Sequence, residues 1–172
     1  MNDVSGGTFD PDMLRVVAEL GVPFVIMHMR GTPETMQSMA SYTNVVEEVA
    51  TTLRSLCRDA QQHGIHRWGH VVDPGIGFAK GFHENGQLLR NLSLIRRLNG
   101  GAPLLLGTSR KGFIGKLTGM EKPDERDYGS IASFVAPLSL EGHGCTTCNI
   151  VRVHNVPAAK QAGAVMDFIL RG

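Results

Sequence analysis

Hydrophobic positions along the chain follow two alternating rhythms. Short apolar runs, "PFVIMHM" at 23–29, "WGHVVDPGIGF" at 68–78, "PLLLG" at 103–107 and "NIVRVHN" at 149–155, lack a strict period of two. Parallel strands covered by helices read that way. Between them lie longer stretches with a helical period. Asp10 as N-cap, Pro11 at the first helical position and Gly21 as stop predict a first helix. Val45, Val46, Val49, Leu53, Leu56 and Cys57 share one face of a helix predicted from Val45 to His63. Asn44 and Glu47 resemble a capping box for it, and Gly64 ends it. "QLLRNLSLIRRL" at 87–98, "GSIASFVAPLSLEG" at 129–142 and the closing "PAAKQAGAVMDFILRG" predict three more helices. Pro137 lies inside the second of these and puts its length in question. The opening "MNDVSGGTFD" reads as the end of a fifth strand entering a tight turn. The class is α/β, and the pattern alone leaves both an open doubly wound sheet and part of a (β/α) barrel open.

Composition narrows the function classes more than the fold. With 172 residues, 42% hydrophobic and 19% charged, the chain has enough apolar surface for one globular domain. The net charge of +1 without a single-sign run argues against a nucleic-acid or membrane-surface partner. No apolar run approaches the roughly 20 residues of a membrane span, and no targeting signal is recognisable in the chain. Three cysteines form no disulfide framework and suit a reducing compartment. Cys145 and Cys148 form a CxxC without a second pair, which argues against zinc or redox chemistry. His63, His66 and His70 straddle a helix end and a strand start, where exposed or capping histidines are expected rather than metal ligands.

Chemistry-bearing residues gather where strands end: Asn2 and Asp3, Met27 and His28, Asp73, Ser109 to Lys111, and Arg152 with His154. Parallel α/β folds build their sites on that edge. In "VVDPGIGFAK" the Asp73 carboxylate can accept two parallel hydrogen bonds from a planar amidine-like edge such as a pterin or guanine. Gly75 and Gly77 let a flat ligand approach, although an Asp-Pro turn explains the segment equally well. In "LLLGTSRKGFIG", Arg110 and Lys111 suit an anion or carbonyl oxygens, and Ser109 can donate to a carboxylate. Arg152 and His154, two apart on one strand face, can clamp a phosphate; a structural Arg–carboxylate pair is the plainer reading of those two residues.

Taken together, "NDVSGG", "MHMRGTPETMQ", "DPGIGFAK", "GTSRKGFIG", "RDYGS" and "IVRVHNV", in this order, resemble the dihydropteroate synthases of folate biosynthesis, with a flavour of the plant and other eukaryotic multifunctional enzymes. The resemblance implies a partial (β/α)8 barrel, from the end of strand 4 through strand 8, in a single incomplete pterin-binding domain over residues 1–172. It implies that 4-aminobenzoate displaces pyrophosphate from 6-hydroxymethyl-7,8-dihydropterin pyrophosphate. Asn2 and Asp73 are then expected to bind the pterin's amidine edge, with Val4, Met27 and Phe78 around the ring. Lys111 would contact pterin and aminobenzoate, with Gly107, Ser109 and Arg110 also lining the substrate site. Arg152 and His154 would hold the pyrophosphate. Mg2+ is the implied cofactor, its ligands lying in a family segment not matched here. The resemblance further implies a homodimer for the full-length enzyme, a pyrophosphokinase domain upstream, and a cytoplasmic or mitochondrial location. A non-catalytic fragment that binds pterin weakly or acts only with a missing N-terminal half, and a methyltetrahydrofolate methyltransferase domain, are the competing readings. For residues 1–172 in isolation the expectation is no measurable turnover.

Overall fold

The computed structural model describes residues 1–139 and 147–171. Five short parallel strands form its frame: β1 (Asn2–Asp3), β2 (Phe24–Met27), β3 (His70–Asp73), β4 (Leu105–Leu106) and β5 (Ile150–Val151). They lie side by side in chain order. β1 pairs with β2, β2 with β3, and β4 with β5; the bridge Val72–Leu104 joins the two sets. A doubly wound sheet reverses direction at a switch point. These strands never do.

Between the strands run α1 (Met13–Leu20), α2 (Val45–Gln62), α3 (Phe82–Arg90), α4 (Leu92–Leu98), α5 (Gly112–Thr118) and α6 (Asp127–Ser139); α7 (Val156–Arg171) closes the chain. Register divides each strand into two faces. Phe24, Ile26, Val72, Leu104 and Leu106 point to the helices, where they join Val46, Val49 and Leu53 of α2 with Leu88, Leu92 and Ile95 in one core. Burial of each such side chain is worth about 1.5–3 kcal/mol. The paired register puts Asn2, Val25, Met27, Val71, Asp73, Leu105, Gly107 and Arg152 on the other face. That face carries Asn2, Asp73 and Arg152.

Several predicted boundaries shift. The first helix starts at Met13, because the Asp10 carboxylate takes the Asp12 N–H (2.9 Å) in a turn that precedes it. Asn44 does cap α2, accepting from the Glu47 N–H (3.3 Å). The reciprocal half of the box comes from Glu48, whose Oε1 accepts from the N–H groups of Thr43 (2.8 Å) and Asn44 (2.9 Å). The predicted helix at 87–98 begins at Phe82 and breaks at Asn91, which leaves helical geometry with φ −123° and ψ 26°. Pro137 lies inside α6, and residues 140–142 of that prediction fall outside the described residues, as does Cys145. Cys148 is buried with its Sγ 3.1 Å from the Ile150 carbonyl, and burial pushes its thiol up to about 11. No helix among the described residues is long and apolar enough to cross a membrane.

Candidate active site

Asp73 ends β3 and is 1% exposed. Burial pushes its carboxyl up, opposed by the Gly75 N–H, Arg152 and Lys111. Oδ1 accepts from the Gly75 N–H (2.8 Å) and Oδ2 from Arg152 Nη2 (3.2 Å). Nη1 of the same guanidinium donates to Asn2 Oδ1 (2.8 Å). One planar donor group thus bridges the ends of β1, β3 and β5. Gly107 leaves room for it: a Cβ there would stand 2.6 Å from Nη2.

Lys111 occupies the N-cap position of α5 and reaches back across the edge. Its ammonium donates to the Ile76 carbonyl and lies 4.3 Å from the centre of the Phe78 ring. Burial pulls its pKa down to about 8, with Asp73 raising it and Arg152 lowering it. Ser109 and His154 face each other, Oγ to Nδ1 at 2.9 Å, and the Ser109 oxygen also accepts the His154 N–H (3.1 Å). Gly107, Ser109, Lys111, Arg152, Val153 and His154 enclose a cavity of about 170 Å³. A larger cleft of about 960 Å³ opens at the opposite end of the sheet, among Arg54, Arg58, Arg67, Trp68 and Arg97. Volume alone would select that cleft; the convergent, committed polar groups are in the smaller one.

The remaining predicted residues divide. Met27 is fully buried beside Asp73 in the strand register, and Val4 is 41% exposed in the turn after β1. Asp3 serves its own turn, its Oδ2 accepting from Ser5 Oγ (2.5 Å) and the Gly7 N–H (2.7 Å). Arg110 leaves the group. Its guanidinium is bidentate on Asp127 (2.8 and 3.1 Å), and Asn155 Nδ2 joins the same carboxylate (2.9 Å). Arg110 has φ +61°, a left-handed conformation uncommon for a side-chain-bearing residue, and this turns it from the direction of Ser109 and Lys111.

The strand-end pattern did not resolve one further pair. Lys80 and His28 are 4% and 0% exposed and meet at 2.9 Å, Nζ to Nδ1. Burial pulls Lys80 down to about 7 and His28 to about 3. The Lys in "GFAK", a cation inside an apolar, glycine-rich turn, was the available signal.

Among the described residues no three His, Cys, Asp or Glu side chains converge to hold a cation. The groups around the cavity are mostly cations and neutral donors, so this donor set does not fit a Mg2+ centre.

Known proteins share this geometry's sequence and fold. The model of the pterin binding enzyme family matches residues 1–154. The folic acid synthesis protein fol1 of Pneumocystis carinii is 42% identical over 172 residues, covering 98% of this chain and 22% of its own length. The mitochondrial folate synthesis bifunctional protein of Arabidopsis thaliana is 42% identical over 180 residues, covering 99% of this chain and 31% of its own. Dihydropteroate synthase from Thermus thermophilus, solved in complex with 6HMPPP and with 4-aminobenzoate, is 38% identical with a TM-score of 0.86. Those structures cover 98% of this chain, which spans 63% and 62% of theirs.

Proposed function

The chain belongs to the pterin binding enzyme family, and on that premise we propose that it acts as a dihydropteroate synthase. It would join 6-hydroxymethyl-7,8-dihydropterin pyrophosphate to 4-aminobenzoate, releasing 7,8-dihydropteroate and pyrophosphate. The five strands are then the end of strand 4 through strand 8 of a (β/α)8 barrel, and residues 1–172 belong to one pterin-binding domain. Homodimeric assembly, an upstream pyrophosphokinase domain and a cytoplasmic or mitochondrial location belong to the same reading.

One observation carries it: the Arg152 guanidinium lies on Asn2 Oδ1 and Asp73 Oδ2 together. A planar fork of N–H donors at the foot of a pocket has the shape and polarity of a pterin's amidine edge. The incoming pterin takes these two acceptors, and the released guanidinium turns toward His154, where both meet the pyrophosphate. The Phe78 ring, 4.3 Å from the Lys111 ammonium, offers that pterin a flat face.

The chemistry needs no strong base. The bond from the pterin methylene carbon to the pyrophosphate oxygen breaks, and its electron pair leaves with pyrophosphate. Arg152, His154 and Lys111 stabilise that negative charge, while the electron-rich pterin ring stabilises the methylene cation. The aniline lone pair of 4-aminobenzoate forms the new C–N bond, and the nitrogen then loses a proton to solvent. Ser109 Oγ donates to the aminobenzoate carboxylate. Mg2+ would neutralise the charge of the pyrophosphate, held by groups other than the described side chains, which do not fit it.

The test is a fluorescence titration of the chain with 6-hydroxymethylpterin, followed by an assay with pterin pyrophosphate, Mg2+ and labelled aminobenzoate. Saturable pterin binding that weakens about 100-fold in Asp73→Asn is the expected result. No binding, or equal binding by the variant, overturns the reading.

A further inference from the structure

Lys80 is a buried cation that the displacement chemistry leaves unused. It has three N–H groups and three acceptors around it: the Phe78 carbonyl (2.8 Å), His28 Nδ1 (2.9 Å) and, longer, the His28 carbonyl (3.4 Å). As an ammonium it can donate to all three. With Lys80 as the ammonium donor, His28 Nδ1 accepts and the neutral imidazole carries its proton on Nε2, an atom that is buried without a hydrogen-bond partner.

The contact spans 52 positions of sequence and ties two loops. His28 follows β2; Lys80 ends the "DPGIGFAK" turn after β3. That turn is held in an uncommon shape, with Ala79 at φ +50°. Tyr42 Oη donates to the Ala79 carbonyl (2.8 Å) while Lys80 holds the Phe78 carbonyl (2.8 Å). The loops also touch at Gly75, where a Cβ would lie 2.0 Å from the His28 carbonyl and 3.3 Å from Lys80 Nζ. The other surface of the same turn carries the site: Asp73 bonds Gly75, and the Lys111 ammonium rests on the Ile76 carbonyl and the Phe78 ring.

We propose that Lys80 and His28 are positioning residues: as a pair they clamp the loop after β2 to the turn after β3, and so fix where Asp73 and Lys111 meet the pterin. This rests on the dihydropteroate synthase reading. The charged and titratable groups that bear on the pair are Asp73 and Lys111 from the pocket, Arg30 and Glu48 from the β2 side, and the Tyr42 hydroxyl. Burial pulls Lys80 down to about 7, so the clamp loosens as pH rises through neutrality.

The experiment is the 6-hydroxymethylpterin titration on the full chain across about pH 6 to 8, with a thermal melt of each variant. Lys80→Met is expected to weaken binding about tenfold at the acid end, because a site displaced by a fraction of an ångström loses its ligand geometry. The wild-type affinity is expected to fall as pH rises through about 7, and that step is expected to be missing in Lys80→Met. His28→Leu is expected to match that loss, whereas His28→Asn, whose amide oxygen can replace the Nδ1 acceptor, stays within about threefold of wild type. If Lys80→Met melts out, the two His28 variants carry the comparison. Unchanged binding in Lys80→Met, an unchanged pH step, or equal losses in the two His28 variants overturns the proposal. Asp73→Asn separates the levels: a wild type that does not bind, or an Asp73→Asn that binds like it, defeats the functional reading itself. A Lys80→Met that binds normally while Asp73→Asn does not defeats the clamp alone.

Discussion

The two ends of the sheet both gather cations, and they treat them differently. At the end where the strands finish, Arg152, Lys111, Lys80 and Arg110 each hold a named acceptor, and the two lysines are buried deeply enough to shift their titration. At the end where the strands start, Arg54, Arg58, Arg67 and Arg97 stand exposed around a cleft more than five times larger. Arg67 Nη2 donates to the Gly100 carbonyl there (2.9 Å). A large basic hollow costs a protein little, since exposed guanidinium groups stay hydrated. A small one with committed cations must be built by the fold, because each buried charge needs an acceptor in place. Commitment separates the two better than size does.

The contrast can be broken most sharply at Asp73. Asp73→Asn removes the charged acceptor and is expected to weaken pterin binding about 100-fold, the scale of losing charge-assisted hydrogen bonds; titration of the fluorescent pterin reads it. Gly107→Ala is the steric counterpart. Its methyl would stand 2.6 Å from Arg152 Nη2, and a loss of about tenfold in pterin binding is expected from a displaced guanidinium.

Stability against pH sharpens the comparison without any ligand. Lys80 falls from 10.5 in the unfolded chain to about 7 in the fold, and Lys111 to about 8. Across those intervals the unfolded chain holds more protons than the folded one, so stability rises as pH climbs from about 7 toward 10. Urea midpoints measured through that range should show the climb, and Lys80→Met should remove its lower part. The smallest effect belongs to the other end of the sheet: Arg97→Ala is expected to leave pterin binding within about twofold of wild type, the usual fate of exposed positions distant from a site. A larger loss would mean that the two ends are coupled.

Much of this was legible in the sequence, for a definable reason. Asp73, Lys111, Arg152 and His154 lie at ends of parallel strands, and that position is readable from short apolar runs followed by polar groups. Arg110 was harder. "SRK" looks like one basic loop, yet the left-handed backbone at its centre sends Ser109 to His154, Arg110 to Asp127 and Lys111 to Ile76. No composition argument separates three neighbours pointing to three places. The Lys80–His28 pair joins residues 52 apart through side chains, and such a contact has no period along the chain. The break at Asn91 was hidden too, because α3 and α4 keep their apolar residues in phase across it, with Leu88, Leu92 and Ile95 in one core.

The bond from Arg152 to Asn2 crosses 150 positions of sequence. Contacts at that separation carry the full entropy of closing the chain between them, and they follow rather than lead the assembly of local structure. The pocket is therefore a product of completed folding, absent from any intermediate in which β1 or β5 is undocked. A ligand seated on Asn2, Asp73 and Arg152 would act as a fastener between the two margins of the sheet. Its binding should protect the margins from proteolysis more than it protects the helices between them.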